Sequence, residues 1–313
     1  MNRFKNILYI SKGISDETDA LKQAISLARN NQARLTFLIL MPELPDKLSD
    51  HLDRYQESIT DNFNQFVQKT ADQLGLNLND IDHTLEISVG PAPAIKAIKY
   101  AITHDHDLII KDSSSKPEGS KINSVELDLL RKSPCPVWIC RPIDHHRDDI
   151  RVAVAIDPDN DHKAAENLSI DLLTLGHGLA KTGDGRLSVI SAWDYEFEQY
   201  LLNNPWNPIT KPEIDREVAR IRTHHEEKLL TLINRAGLDP ENLNIHHKRG
   251  NPTTVIPNFV EDQDIDILVM GTVARTGIPG FFIGNTSENI IQQLSCSLLT
   301  MKPKGFVCPI TPY

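Results

Sequence analysis

The chain has 313 residues, of which 40% are hydrophobic and 24% charged, and it carries a formal net charge of −10. That length favours two hydrophobic cores over one, and the acidity excludes a nucleic-acid partner, whose phosphates need clustered Lys and Arg, while leaving room for one phosphorylated small molecule in a local pocket. The longest apolar stretch, Leu35 to Met41, is far short of a membrane span, the start is too short for a secretory leader, and four cysteines (Cys135, Cys140, Cys296, Cys308) are too few for a disulfide frame, so no membrane insertion, reduced thiols and a cytoplasmic location are expected.

In chain order, the pattern opens with a short apolar strand, Ile7 to Ile10. A helix follows with Leu21, Ile25 and Ala28 on one face, then a second strand over Leu35 to Leu40. A long polar segment leads into an amphipathic helix striped by Tyr55, Ile59, Phe63, Phe66, Val67 and Leu74, which stops at Gly75. A third strand ends at Gly90, with Pro91 and Pro93 opening a short helix. A fourth strand follows Asp107, and a last one follows Ser133-Pro134-Cys135-Pro136.

The second half repeats this plan. Its first strand is Val152 to Ile156; its first helix carries Leu168, Leu172, Leu175 and Leu179; its second strand is Leu187 to Ala192. Ile214, Val218, Ile221, Leu229 and Ile233 stripe its long helix, which stops at Gly237. Gly250 and Pro252 echo Gly90 and its prolines, and Asp266 opens the fourth strand, Ile267 to Met270. Gly90 to Gly250 spans 160 positions and Cys135 to Cys296 spans 161, so the chain reads as a duplication. The boundary falls in the polar stretch from Asp144 to Asp149, giving expected domains of 1–145 and 146–313. Strands alternating with helices imply an α/β fold of two tandem doubly wound parallel sheets, with ligands at the carboxyl ends of the strands near the switch point.

The stretch richest in chemistry is Met270-Gly271-Thr272-Val273-Ala274-Arg275, continuing through Gly277 and Gly280 to Gly284-Asn285-Thr286-Ser287-Glu288. Glycine lets backbone approach a ligand, and exposed amides can cradle phosphate oxygens. A helix is expected from Ser287 to Leu294, with Asn285 as its N-cap and Glu288 completing a capping box. The first half instead continues Lys111-Asp112-Ser113-Ser114-Ser115, without spaced glycines. No Walker-type loop and no His-Glu-x-x-His run is present. Three His-His pairs (145–146, 224–225, 246–247), with His104 and His106, leave open a zinc site assembled across elements, against a reading as solvated surface histidine. Trp193, Tyr195, Phe197, Tyr200 and Trp206 sit in the second half's insertion; they would cover an apolar ligand or pack the insertion onto the sheet.

These residues resemble the universal stress protein family, whose nucleotide-binding members carry Gly-x2-Gly-x9-Gly-Ser/Thr after the fourth strand. Gly271, Ala274 and Gly284-Asn285 follow that frame with two departures, Ala274 for glycine and Asn285 for Ser or Thr. A β-carbon at Ala274 obstructs any positive φ there, whereas Asn285 still donates and accepts hydrogen bonds. Cys135-Pro136-Val137 is a further family trait. The resemblance implies an adenine-nucleotide-hydrolase-like fold and ATP as the ligand of the second half. Adenine would lie against Asp157, flanked by Ile156 and Pro158, with Ala192 and Met270. Phosphates would lie on Gly271, Ala274, Arg275, Gly284, Asn285, Thr286 and Ser287. Lys12 stands where the second half has Asp157, so the first half is expected to keep the fold without the ligand and to act as the pairing module of an intramolecular pseudo-dimer. The expected function is a non-enzymatic, ligand-binding stress protein, with homodimer formation left open. The alternatives are an interaction protein with vestigial pockets, a zinc- or apolar-ligand-binding stress protein, and a nucleotide-hydrolysing enzyme.

Overall fold

Two runs of alternating strands and helices build the molecule. The computed structural model describes residues 3–13, 18–113, 122–143, 145, 149–160, 162–181, 186–272 and 283–311. The chain forms two compact units. Among the described residues, the first holds those up to 143 together with 283 and 295–311; the second holds 145–272 and 284–294.

In the first unit the order is β1 (Asn6–Ser11), α1 (Thr18–Asn31), β2 (Arg34–Met41), α2 (Leu52–Gln73), β3 (His83–Val89), α3 (Pro93–Thr103), β4 (Leu108–Asp112), α4 (Ser124–Lys132) and β5 (Val137–Cys140). In the second it is β6 (Val152–Ala155), α5 (Lys163–Ala180), β7 (Ser188–Trp193), α6 (Phe197–Asn203), α7 (Lys211–Arg235), β8 (Asn244–Arg249), α8 (Pro252–Asp262), β9 (Ile267–Gly271) and α9 (Asn285–Ile291). β3, β2, β1, β4 and β5 pair in that order, all parallel, as do β9, β6, β7 and β8. β1 and β4 are buried throughout except Asn6, as strands covered on both faces should be.

The last strand, β10 (Ser297–Met301), departs from the expected parallel arrangement. It runs antiparallel to β5, with Leu298 opposite Ile139 and Thr300 opposite Val137. Nothing in an apolar run fixes its direction; contacts at its two ends hold it in place. Ser297 Oγ accepts the Arg141 amide at 2.9 Å, and Lys302 Nζ donates to the carbonyls of Leu130 and Ser133, anchoring both ends of β10 in the first unit.

Several local devices occur twice. α2 and α7 both stop in a Schellman turn: Gly75 and Gly237 take φ of +64° and +71°, and the amides of Leu76 and Leu238 reach back to Ala71 and Ile233. Gly90 and Gly250 take φ of +128° and +130°, where only glycine is unstrained, and Pro93 and Pro252 then open α3 and α8. Asp107 accepts the amides of Lys5 and Asn6, and Asp266 accepts that of Arg151, so each carboxylate pins the start of its unit's first strand.

Packing follows the predicted stripes with exceptions. Ile59, Phe63 and Val67 bury on α2, where Phe63 and Tyr9 both meet Phe37 edge-on, but Tyr55 is exposed. On α7, Ile214, Leu229 and Ile233 are buried while Val218 and Ile221 are only half-buried. In α5, Gly176 lies so close to β6 that a β-carbon there would stand 2.2 Å from Val154 Cγ2.

Candidate functional site

The carboxyl ends of β9, β6 and β7 bring together residues that are far apart in sequence. In the register, Ala155 lies opposite Met270 on one side and Ile190 on the other. β6 has its sequence successor β7 on one flank and β9 on the other, which is the switch point of this sheet. Past that level the chain continues into Ile156, Asp157 and Pro158. Ile156 is buried and donates its amide to the Ile190 carbonyl at 3.0 Å, while its own carbonyl accepts Ser191 Oγ at 2.8 Å. Asp157 is exposed, and its Oδ1 accepts the Asp159 amide at 3.2 Å in an Asx turn. Ala192, half-buried, lies inside β7.

β9 ends in buried Met270 and half-buried Gly271, and buried Thr272 follows it. The glycine is explained by packing: a β-carbon on Gly271 would meet Leu168 Cδ2 of α5 at 2.9 Å. Two bonds close the loop that follows. The Gly284 amide donates to the Thr272 carbonyl at 3.1 Å, and Ser287 Oγ donates to the Gly271 carbonyl at 3.3 Å. This closure moves the helix start. α9 begins at Asn285 with Gly284 as its N-cap and no side-chain cap, rather than at Ser287 with Asn285 capping, because the chain has already turned at the Gly284–Thr272 bond. The first bond of its ladder is Glu288 N–H to Gly284 O, so the amides of Asn285, Thr286 and Ser287 stand outside that ladder. Ala274 and Arg275 lie outside the described residues.

Thr272 is not among the ligand-contacting residues expected from the sequence. Its hydroxyl is buried with no hydrogen-bond partner among the described residues, which is costly unless a ligand or water meets it. Its place one residue beyond an apolar strand, after glycine, was the available signal. The donor set fits an adenine nucleotide: an exposed carboxylate for an amino group, apolar walls in Ile156 and Met270, and an unspent hydroxyl with helix-start amides for oxygens.

The matching place in the first unit is built differently. Lys111, Asp112 and Ser113 stand where the second unit has Met270, Gly271 and Thr272, and all three are buried. Lys111 Nζ bonds to the Asp112 carbonyl, so a charged side chain occupies the strand ends, and Lys12 at the end of β1 is exposed.

Histidines and aromatics depart from the bland expectations. His225 is 2% exposed, and its Nδ1 lies 2.9 Å from His247 Nε2. His247 stacks on Trp193, and Arg249 lies over the same indole. His145 bridges Asp264 and Asp266, whose carboxylates, Asp266 first, raise its pKa. Among the described residues no group of three or more His, Cys, Asp or Glu is placed to hold a metal ion. Trp193 is buried, but Phe197, Tyr200 and Trp206 are exposed and do not pack on the sheet, because the insertion is held by polar contacts instead, through Arg249 to Glu198 and Asn207 to Leu201. All four cysteines are free thiols.

A family model for the universal stress protein family matches residues 3–141 and 151–302. The chain belongs to that family. It is similar to universal stress protein E of Photorhabdus laumondii, 28% identical over 99% of this chain and 98% of the relative, and to that of Escherichia coli K12, 26% identical over 99% and 98%. Its fold is that of a putative universal stress protein from Pseudomonas aeruginosa, with a TM-score of 0.71 and 22% identity over 97% of this chain and 95% of the other. A universal stress protein from Archaeoglobus fulgidus gives a TM-score of 0.62 and 18% identity over 96% and 99%. The two universal stress domains of this chain therefore make it a stress-response family member of α/β type with a mostly parallel central sheet. No described helix is long and apolar enough to cross a membrane.

Proposed function

We propose that the second unit binds an adenine nucleotide, with ATP the expected ligand, and that this universal stress protein works by binding rather than by catalysis. The observation that carries the reading is the exposed Asp157 carboxylate beyond β6 at the switch point, together with the buried Thr272 hydroxyl just beyond the neighbouring β9, which has no hydrogen-bond partner among the described residues. Asp157 would accept from the adenine amino group. Ile156, Pro158, Ala192 and Met270 would wall the base. Gly271, the Gly284 closure and the first-turn amides of Asn285, Thr286 and Ser287 would face the phosphates. The nucleotide would supply charge and ordering; this chain's residues bind and orient it. Nothing described offers a nucleophile poised against a general base, which favours sensing over turnover.

The first unit, with Lys111 across its strand ends, is read as a fold-completing partner without a ligand of its own. Free thiols suit a reducing, cytoplasmic setting. Titration calorimetry of the full chain with ATP and ADP tests the proposal. Heat is expected, reduced by Asp157→Ala and by Thr272→Val. Absence of heat at about millimolar nucleotide, in the range of weak complexes, would remove it.

A further inference from the structure

We propose that the His225–His247 pair acts as a proton-controlled charge beside Asp157, so that proton uptake by the pair tightens the second unit's hold on an anionic ligand. This rests on the nucleotide reading above.

The geometry fixes where protons sit. Two imidazole nitrogens 2.9 Å apart must share a hydrogen, so one ring donates and the other accepts. Asp159 settles the direction. Its Oδ2 faces His225 Nε2 at 4.0 Å, and a carboxylate there favours a hydrogen on that nitrogen. His225 Nδ1 is then the acceptor, and His247 Nε2–H the donor. Both nitrogens of His225 are committed, which leaves His247 Nδ1 as the place where an added proton lands.

The pair is wired to the site through a short loop. Asp159 donates its amide to Asp157 Oδ1, and its carboxylate also meets Lys228 Nζ at 3.5 Å. The charges facing the pair are Asp157 and Asp159 from the loop after β6, Arg222, Glu226 and Lys228 on α7, and Arg249 two residues along β8. Burial is the first cause lowering the pKa of both rings, opposed at His225 by the two aspartates and at His247 by Glu226. The downward shift leaves the pair neutral at neutral pH, and it takes up charge on the acid side of the ordinary histidine value. That charge offsets the Asp157 and Asp159 carboxylates and so lowers the negative potential that an anionic ligand of this unit must overcome. By linkage, a bound anion raises the pair's proton affinity by the same factor.

The test is calorimetry of the full chain with ADP at about pH 5 and about pH 7.5, on either side of an ordinary histidine pKa, using the unmodified protein and His247→Gln. The glutamine amide keeps a donor toward His225 but does not titrate. The nucleotide's own phosphate protonation affects both proteins alike. The unmodified protein should therefore gain at least about fivefold more affinity on acidification than the variant, the lower end of common coupling factors. Equal gains in both would overturn the inference while leaving nucleotide binding intact. No heat from either protein at either pH would remove the nucleotide reading and this inference with it. Should circular dichroism show His247→Gln unfolded, His247→Asn, whose shorter amide also cannot titrate, replaces it with the same expected loss of pH dependence, and an unchanged dependence there refutes the coupling.

Discussion

Ser191 Oγ donates to the Ile156 carbonyl across 2.8 Å of fully buried space, tying β7 to the chain as it leaves β6. The bond holds the strand ends at the spacing that Asp157 inherits. Ser191→Ala should cost about 1 kcal/mol, because it leaves a buried carbonyl with one partner fewer. Urea denaturation reads that loss. Nucleotide affinity should fall as well, since the turn carrying Asp157 loses a constraint.

Gly176→Ala should destabilise the second unit by about 1–3 kcal/mol, the usual cost of overpacking. The new β-carbon would stand 2.2 Å from Val154 Cγ2, and valine, stiff at χ1, has no easy escape. Gly271→Ala meets only the tip of Leu168 and should cost less. Thermal melts of the two variants should rank in that order, and the reverse ranking would contradict the packing described.

His106 should make the first unit acid-sensitive. It is 7% exposed, with neither ring nitrogen partnered among the described residues, and burial, followed by the neighbouring His104, lowers its pKa to about 4. The unfolded chain takes up this proton near pH 6.5 while the folded chain resists until about pH 4. Stability is thus complete above the unfolded pKa and falls across that window as pH drops, by up to about 3 kcal/mol. Denaturant midpoints measured across the window should fall less steeply in His106→Leu.

Cys135 and Cys140 should be sluggish thiols. Burial lifts Cys135 to about 11 and Cys140 well above the ordinary range. Because the thiolate is the reacting species, iodoacetamide at neutral pH should label neither at the rate of a free thiol, and both should react once the chain is unfolded. Mass spectrometry of the alkylated peptides reports this directly.

Much of the fold was readable because its signals are local. Gly75 and Gly237 end helices through their own φ angles, and Asp107 and Asp266 announce strands that begin one residue later. The α/β alternation came from the same short-range patterns, whereas Asp157 was singled out by the resemblance to the family. What escaped depends on partners distant in sequence. The His225–His247 contact joins a helix to a strand 22 residues away, and neither residue type signals it. The shift of the α9 start to Asn285 follows from a bond between Gly284 and Thr272 that no capping pattern encodes. Trp206 reads as a packing residue by type, yet it is 89% exposed, because its turn is fixed by Asn204 and not by an apolar neighbour.

The strand formed by Ser297–Met301 belongs, by sequence, to the later copy, but it seals the edge that Val137–Cys140 would otherwise present. Severing the gene at the seam between copies would therefore yield an amino-terminal fragment with an unpaired apolar ribbon, prone to sticking to its own kind. The repeat boundary in the sequence is therefore not the boundary of the first compact unit, whose closing strand is supplied by the chain's last segment.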